Sequence, residues 1–115
     1  MTVRILHNPR CSKSRQTLAL LRDKGIEPEI VLYLETPPSA DELREILRLL
    51  GLGPRDIIRK GEKVYKELEL GDPDLPDSAL ITAMVEHPIL IERPIVISGG
   101  KARLGRPPEN VLEIL

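Results

Sequence analysis

The amino-acid sequence has only one cysteine and few aromatic side chains, with two tyrosines and neither phenylalanine nor tryptophan. One cysteine excludes an internal disulfide and leaves secretion without support. The near absence of aromatic side chains excludes the stacking platforms on which single-stranded nucleic acids bind. No apolar run is long enough to span a membrane, and the first residues lack the apolar core of a signal peptide. We therefore expect a cytoplasmic protein that has no membrane partner.

The charges give no sign of a polyanionic partner either. The 17 Lys and Arg residues nearly balance the 18 Asp and Glu residues, so that the formal net charge is −1. Nucleic-acid-binding domains usually carry a clear excess of basic residues, which is absent here. A length of 115 residues and a hydrophobic fraction of 41% are ordinary for one soluble domain. We expect a single domain over residues 1–115 and no nucleic-acid partner.

The cysteine lies in a basic segment between a predicted strand and a predicted helix. Residues 2–6 predict the strand, and residues 12–24 have the apolar spacing of a helix that ends at Gly25. Cys11 would thus lie where the free N–H groups of the first helical turn favour an anion. Five basic residues and no acidic residue come before Asp23: Arg4, Arg10, Lys13, Arg15 and Arg22. This segment favours a thiolate.

The free energy needed to stabilise the thiolate can be compared with what this segment supplies. A free thiol with a pKa of roughly 8.5 is only about 3% ionised at pH 7. Lowering that pKa by about two units takes roughly 2.7 kcal/mol, whereas a helix terminus supplies about 0.3–1 kcal/mol. The remainder would come from Arg10, Lys13, Arg15 or a protonated His7. The alternative, a buried and inert Cys11, fits poorly with such polar neighbours.

The middle of the chain predicts a second strand and then a helical insert. Residues 30–34 are β-branched and apolar, which predicts a buried strand parallel to the first one. The insert covers about residues 39–88, and its first helix begins with a capping box at Ser39 and Glu42. Gly51 is a suitable end for that helix.

The last part of the chain predicts a hairpin and a closing helix. Residues 94–97 and 101–104 form short apolar runs around Gly99 and Gly100, and Pro107 and Pro108 open the helix. The order βαβ, helical insert, ββα predicts an α/β thioredoxin- or glutaredoxin-like fold with a mixed four-stranded sheet. In such a fold Cys11 would lie at the carboxyl edge of the sheet, where open α/β sheets bind ligands.

The absence of a second cysteine limits the chemistry. Ser14 occupies the position three residues after Cys11, so the chain has no C-x-x-C pair, and redox turnover would need an external thiol. A phosphatase of the C-x5-R type is disfavoured, since Thr17 occupies the arginine position. One cysteine with His7 and His87 does not make a zinc site, and we expect no metal.

Six segments spread over nearly the whole chain form one collinear pattern: residues 7–15, 33–38, 58–60, 87–96, 103–107 and 112–115. Together these segments resemble one family, the glutaredoxin-coupled arsenate reductases, and within it a short subgroup described as arsenate reductase-related. The resemblance implies a thioredoxin-like fold with Cys11 as the nucleophile and a cis peptide bond between Arg93 and Pro94. It also implies two further sets of residues. Arg59, Arg93 and Arg106 would bind the oxyanion, and His7, Ser14 and Arg15 would support the thiolate.

The resemblance further implies a reaction. The Cys11 thiolate would attack arsenate and form a covalent adduct, glutathione would add, arsenite would leave, and a glutaredoxin would reduce the mixed disulfide. Glutathione is then a co-substrate, and no cofactor is bound.

Two other interpretations remain open. One is a non-catalytic redox or interaction protein, because the same superfamily includes regulators that bind RNA polymerase and sense redox state through C-x-x-C; Ser14 argues against this interpretation. The other is a thiol enzyme of the same fold with another substrate. Without the resemblance, Arg59 would be interpreted as part of a solvated face, and Arg93 as the partner of a nearby carboxylate.

Overall fold

The computed structural model describes residues 2–115, which form two compact units. The first unit combines residues up to 36 with residues 93–115, and the second contains residues 37–92. The single-domain organisation stays a prediction.

The first unit contains the predicted mixed four-stranded sheet. Its strands are β1 (Val3–Leu6), β2 (Glu29–Val31), β3 (Ile95–Ser98) and β4 (Lys101–Leu104). They lie in the order β2-β1-β3-β4, with β1 parallel to β2 and antiparallel to β3, and with β3 antiparallel to β4. Helix α1 (Ser12–Asp23) joins β1 to β2 and ends before Gly25, whose φ of +78° suits glycine. The βαβ unit is therefore confirmed.

One side of this sheet is covered by an apolar cluster. Leu18 and Leu21 of α1 lie one helical turn apart and pack with Ile5 of β1 and Val96 of β3. Val111 and Ile114, from the closing segment, complete the cluster. Helix α1, which begins directly after Cys11, is thus packed against the sheet through these residues.

The second strand differs from its prediction. It ends at Val31 rather than near residue 34, and Ile30 is 38% exposed instead of buried. The reason is its place in the sheet, because β2 pairs only with β1 and is an edge strand. A continuous apolar run indicates a buried strand only where both faces and both edges are covered. Leu32 and Leu34 lie in the turn that follows and are also partly exposed.

The second unit is helical, as predicted. Its first helix has the predicted capping box, in which the Glu42 N–H donates to Ser39 Oγ (3.1 Å) and the Ser39 N–H donates to Glu42 Oε1 (3.3 Å). Gly51 ends this helix with a φ of 71°. The helices of the unit are α2 (Ala40–Leu50), α3 (Pro54–Ile57), α4 (Lys63–Glu67) and α5 (Asp77–Glu86), followed by a 3₁₀ turn (Pro88–Leu90).

The last segments return to the sheet. The hairpin is confirmed, with positive φ angles at Gly99 and Gly100, whereas the closing helix, Pro108–Ile114, is of the 3₁₀ type. The Arg93–Pro94 peptide bond is cis, as the resemblance implies, and the Arg106–Pro107 bond is cis as well. Over residues 2–115, the structure has no helix with the length and apolar character needed to cross a membrane.

Candidate active site

Cys11 occupies the N-cap position of α1, in an extended conformation with φ −94° and ψ 122°. Its N–H donates to the Asn8 carbonyl (3.0 Å), and its own carbonyl accepts from the Arg15 N–H (3.0 Å). The side chain is a free thiol of intermediate exposure. An inert cysteine sealed in the core is therefore wrong for this chain.

The surroundings of Cys11 favour its thiolate. Burial by itself would raise the pKa of the Cys11 thiol, but three hydrogen bonds act in the opposite direction, from the Ser14 N–H, the Arg93 guanidinium and the Lys13 N–H. The positive charge of Arg93 adds to them, and the net result is a lowered pKa. The helix N-terminus and one arginine therefore act on the sulfur together.

A second arginine reaches the same sulfur from the other end of the chain. Arg106 Nη1 lies 3.9 Å from Cys11 Sγ and donates to the Arg93 carbonyl (3.0 Å). Both arginines directly precede a cis proline, Pro94 before β3 and Pro107 after β4. Two of the three predicted oxyanion-binding residues are therefore beside the predicted nucleophile.

Gly105 holds the segment of Arg106 close to α1. Its N–H donates to the Pro94 carbonyl (2.9 Å). A Cβ atom on Gly105 would lie 2.5 Å from Thr17 Oγ1 and 2.7 Å from Pro94 Cγ, closer than real contacts allow. The φ angle of Gly105 is not in the left-handed region, so this glycine is required by space rather than by conformation.

His7 and Ser14 form a buried pair beneath the cysteine loop. His7 Nδ1 lies 2.6 Å from Ser14 Oγ, which also accepts the Asn8 N–H (3.0 Å). Burial lowers the pKa of His7, and the charges of Arg22 and Arg15 lower it further. This lowered pKa disfavours a protonated His7 as a source of positive charge near the sulfur. The pair orders the loop instead.

The other basic residues of the loop act through the backbone. Arg15 Nη1 donates to the Pro9 carbonyl (2.8 Å), which ties the first helical turn to the loop before it. The N–H of Arg10 is held by Asn8 Oδ1 (3.0 Å). Lys13 acts on the thiol through its N–H group. Charge near the sulfur thus comes from distant arginines more than from this segment.

Arg59 belongs to the helical unit and is engaged by two carboxylates. Its Nε donates to Glu62 Oε2 (3.0 Å) and its Nη1 donates to Glu92 Oε1 (2.6 Å). Burial would lower the pKa of Arg59, but the hydrogen bonds and charges of these carboxylates raise it. The side chain is 24% exposed, so the solvated-face interpretation is wrong. Its part in oxyanion binding stays a prediction.

Sequence reasoning missed three residues that shape the site. Asn8 receives no role from its position in the sequence, yet its side chain and backbone hold Arg10 and Ser14. An Asn before a proline is a common turn signal, which identifies this residue only in part. Thr17 and Gly105 are revealed only by tertiary contact. Among residues 2–115, no group of three or more His, Cys, Asp or Glu side chains is placed to hold a metal ion.

The fold and the site together define a class. A mixed four-stranded sheet, a free thiol at the turn between β1 and α1, and a cis proline before β3 are the features of a thioredoxin-like protein. The chain belongs to the ArsC family, whose model matches residues 6–114.

Its relatives match all or nearly all of the chain. It is 60% identical over 114 residues to YfgD of Escherichia coli K12, covering 98% of this chain and 96% of that protein. It is 54% identical over 116 residues to an arsenate reductase of Haemophilus influenzae, with full coverage of both chains. It is also similar to the structure of an arsenate reductase from Vibrio cholerae, with a TM-score of 0.98, 59% identity and coverage of 100% and 98%.

Proposed function

We propose that this protein is a cytoplasmic enzyme that reduces arsenate to arsenite, with Cys11 as the nucleophile. The observation that carries the proposal is the environment of the sulfur, whose pKa is lowered and which has Arg106 Nη1 at 3.9 Å. The names of the relatives from Haemophilus influenzae and Vibrio cholerae support the choice of substrate.

In the proposal, Arg93 and Arg106 bind the tetrahedral oxyanion. Guanidinium groups pair with such anions through charge-assisted hydrogen bonds of fixed geometry. Two positive charges also offset the repulsion between an incoming oxyanion and a thiolate. A role for Arg59 in oxyanion binding rests on the family resemblance alone. The Ser14 N–H, at the helix N-terminus, supports the thiolate.

The reaction begins when the thiolate attacks arsenic and a protonated oxygen leaves as water, giving a Cys11–S–As(V) adduct. An external thiol then attacks Cys11 Sγ. The sulfur–arsenic bond breaks with its electron pair left on arsenic, which becomes As(III) and is released as arsenite. Cys11 is left in a mixed disulfide with that thiol.

A second thiol returns Cys11 to its reduced form. We propose glutathione for the first step and a glutaredoxin for the second, with no bound cofactor. Overall, two thiols become one disulfide while arsenic gains two electrons and one oxygen leaves as water. A chain with a single cysteine fits this cycle, because both electrons must come from outside.

The test is arsenite formation by the purified protein with arsenate, glutathione and glutaredoxin. We expect Cys11→Ser to abolish turnover, and equal rates for the two proteins would refute the proposal. Arg93→Ala should raise the KM for arsenate at least tenfold. Arg103→Ala is a matched control, because Arg103 lies on β4 and its Nε pairs with Glu113 (3.0 Å). An equal KM in both variants would remove Arg93 from the anion site.

A further inference from the structure

A groove lies beside the cysteine loop, and the cycle above gives it no role. It is formed by the loop before α1 and by the turn after β2, and it has a volume of about 320 Å³. Its lining residues are His7, Asn8, Pro9, Arg10, Leu32, Leu34 and Glu35. Since Arg10 directly precedes Cys11, the groove reaches to within one residue of the nucleophile. Its size is at the lower end of the range for small-molecule sites.

The apolar wall of the groove includes two partly exposed leucines. Leu32 and Leu34 are 37% and 39% exposed, although both are large hydrophobic side chains. They belong to the turn that sequence reasoning predicted as part of a buried strand. Partly exposed leucines in a concave site are the usual contact surface for the carbon chain of a ligand.

Two opposite charges complete the groove. Arg10 and Glu35 both line it, and neither side chain has an ion pair or hydrogen bond with any other residue from 2 to 115. Arg22 and Glu27 of the same unit, by contrast, pair with each other (3.0 Å). The groove therefore offers one cation and one anion that have no side-chain partner within the described part of the chain, together with an apolar wall.

We propose that this groove binds the external thiol that resolves Cys11, and that this thiol is of the amino-acid or peptide type, with both a carboxylate and an ammonium group. Arg10 pairs with the carboxylate, Glu35 pairs with the ammonium, and Leu32 and Leu34 contact the carbon chain. The inference rests on the proposed role of Cys11 as nucleophile.

The bound thiol performs one defined step. Its thiolate sulfur bonds to Cys11 Sγ, the bond from Sγ to the leaving group breaks, and the electron pair of that bond departs with the leaving group. The leaving group is arsenite during reduction of arsenate. It is any thiolate when Cys11 is held in a mixed disulfide, so the same groove can be tested without arsenic.

The test uses Cys11 converted to its mixed disulfide with 2-nitro-5-thiobenzoate. Because Cys11 is the only cysteine, the reagent labels one site, and release of the coloured thiolate reports attack on Sγ. The release rate is measured with glutathione, with cysteine and with three smaller probes: neutral 2-mercaptoethanol, anionic 3-mercaptopropionate and cationic cysteamine. We expect rates to saturate with glutathione and cysteine and to rise linearly with 2-mercaptoethanol.

Charge reversals then identify the groove. We expect Arg10→Glu and Glu35→Lys each to lower the ratio of the glutathione rate to the 2-mercaptoethanol rate roughly tenfold. This ratio corrects for any change in the reactivity of Cys11 itself. Lys24→Glu is the matched control, because it makes the same charge change at an exposed position of the same unit outside the groove, and its ratio should stay within about twofold of the wild type.

The outcomes separate this proposal from the proposed function. A ratio that is unchanged in either groove variant, or one that falls equally in Lys24→Glu, would overturn the proposed site. Since the assay contains no arsenate, a protein that fails to reduce arsenate can still show the expected fall in the rate ratio. A protein that reduces arsenate can likewise show no such fall. Unfolding curves in urea for each variant exclude loss of the fold as the cause.

Discussion

Gly105 gives the sharpest test of how the site is assembled. The new Cβ atom in Gly105→Ala would lie 2.5 Å from Thr17 Oγ1 and 2.7 Å from Pro94 Cγ. Thr17 is fully buried and its Oγ1 donates to the Lys13 carbonyl (2.8 Å), while Pro94 is buried in front of β3. Neither neighbour is the free end of a flexible side chain, so the backbone of residue 105 must move.

Overpacking of this kind costs about 1–3 kcal/mol. We take about 2 kcal/mol, since two contacts are too short at once, and this lowers the ratio of folded to unfolded protein roughly 30-fold. Gly61→Ala is the matched control, because a Cβ atom there meets nothing within 4 Å and its φ is not in the left-handed region. That change should stay within about 0.5 kcal/mol of the wild type or stabilise slightly.

The assay is urea unfolding of both alanine variants, of Thr17→Ala and of the double variant at positions 17 and 105. Thr17→Ala removes the closest clashing atom, so it should cost about 1 kcal/mol less in the Gly105→Ala background than on its own. Additive costs, together with a Gly105→Ala variant as stable as Gly61→Ala, would refute the reasoning. We also expect slower alkylation of Cys11 in Gly105→Ala, because residue 106 carries the guanidinium near Sγ.

Three further predictions each concern one side chain and its environment. Ser39→Ala removes the side-chain cap of α2 and should cost about 1 kcal/mol in urea unfolding. The rate of iodoacetamide alkylation of Cys11 should rise at a lower pH than for an ordinary thiol, and Arg93→Met should move that profile to higher pH, because it removes a hydrogen bond and a charge. The lowered pKa of His7 means that the unfolded chain binds a proton more readily than the folded chain. Stability should therefore fall between pH 7 and pH 5, and less so in His7→Gln, as measured by unfolding at both pH values.

Local signals in the sequence predict much of the fold. The capping box at Ser39, the stop at Gly51 and the Gly99–Gly100 turn each depend on residues within a few positions, and each is confirmed. The apolar run after Pro28 is different, because an edge strand and a central strand can have the same local pattern. Its exposure depends on which strands lie beside it, and this is decided by residues more than 60 positions away.

The candidate site, like the fold, is predicted from local sequence only in part. The position of Cys11 at the start of α1 is predicted from the chain alone, since a strand, a turn and a helix follow one another. The positive charge near its sulfur is not predicted from the local sequence, because Arg93 and Arg106 belong to the segments on either side of the hairpin. Only the family resemblance named these two arginines in advance. The lowered pKa of His7 depends on burial and on the charge of Arg22, which no local sequence pattern indicates.

The two borders of the sheet bear on how this protein behaves at high concentration. Unpaired strand borders invite neighbouring molecules to add strands and aggregate. Here the edge strand β2 is only three residues long, follows Pro28 and begins with Glu29, and the edge strand β4 carries Lys101 and Arg103. Short length, a proline and charges at these positions discourage intermolecular strand addition. Leu32 and Leu34, which directly follow β2, can thus face solvent without making this edge strand a site where fibrils nucleate.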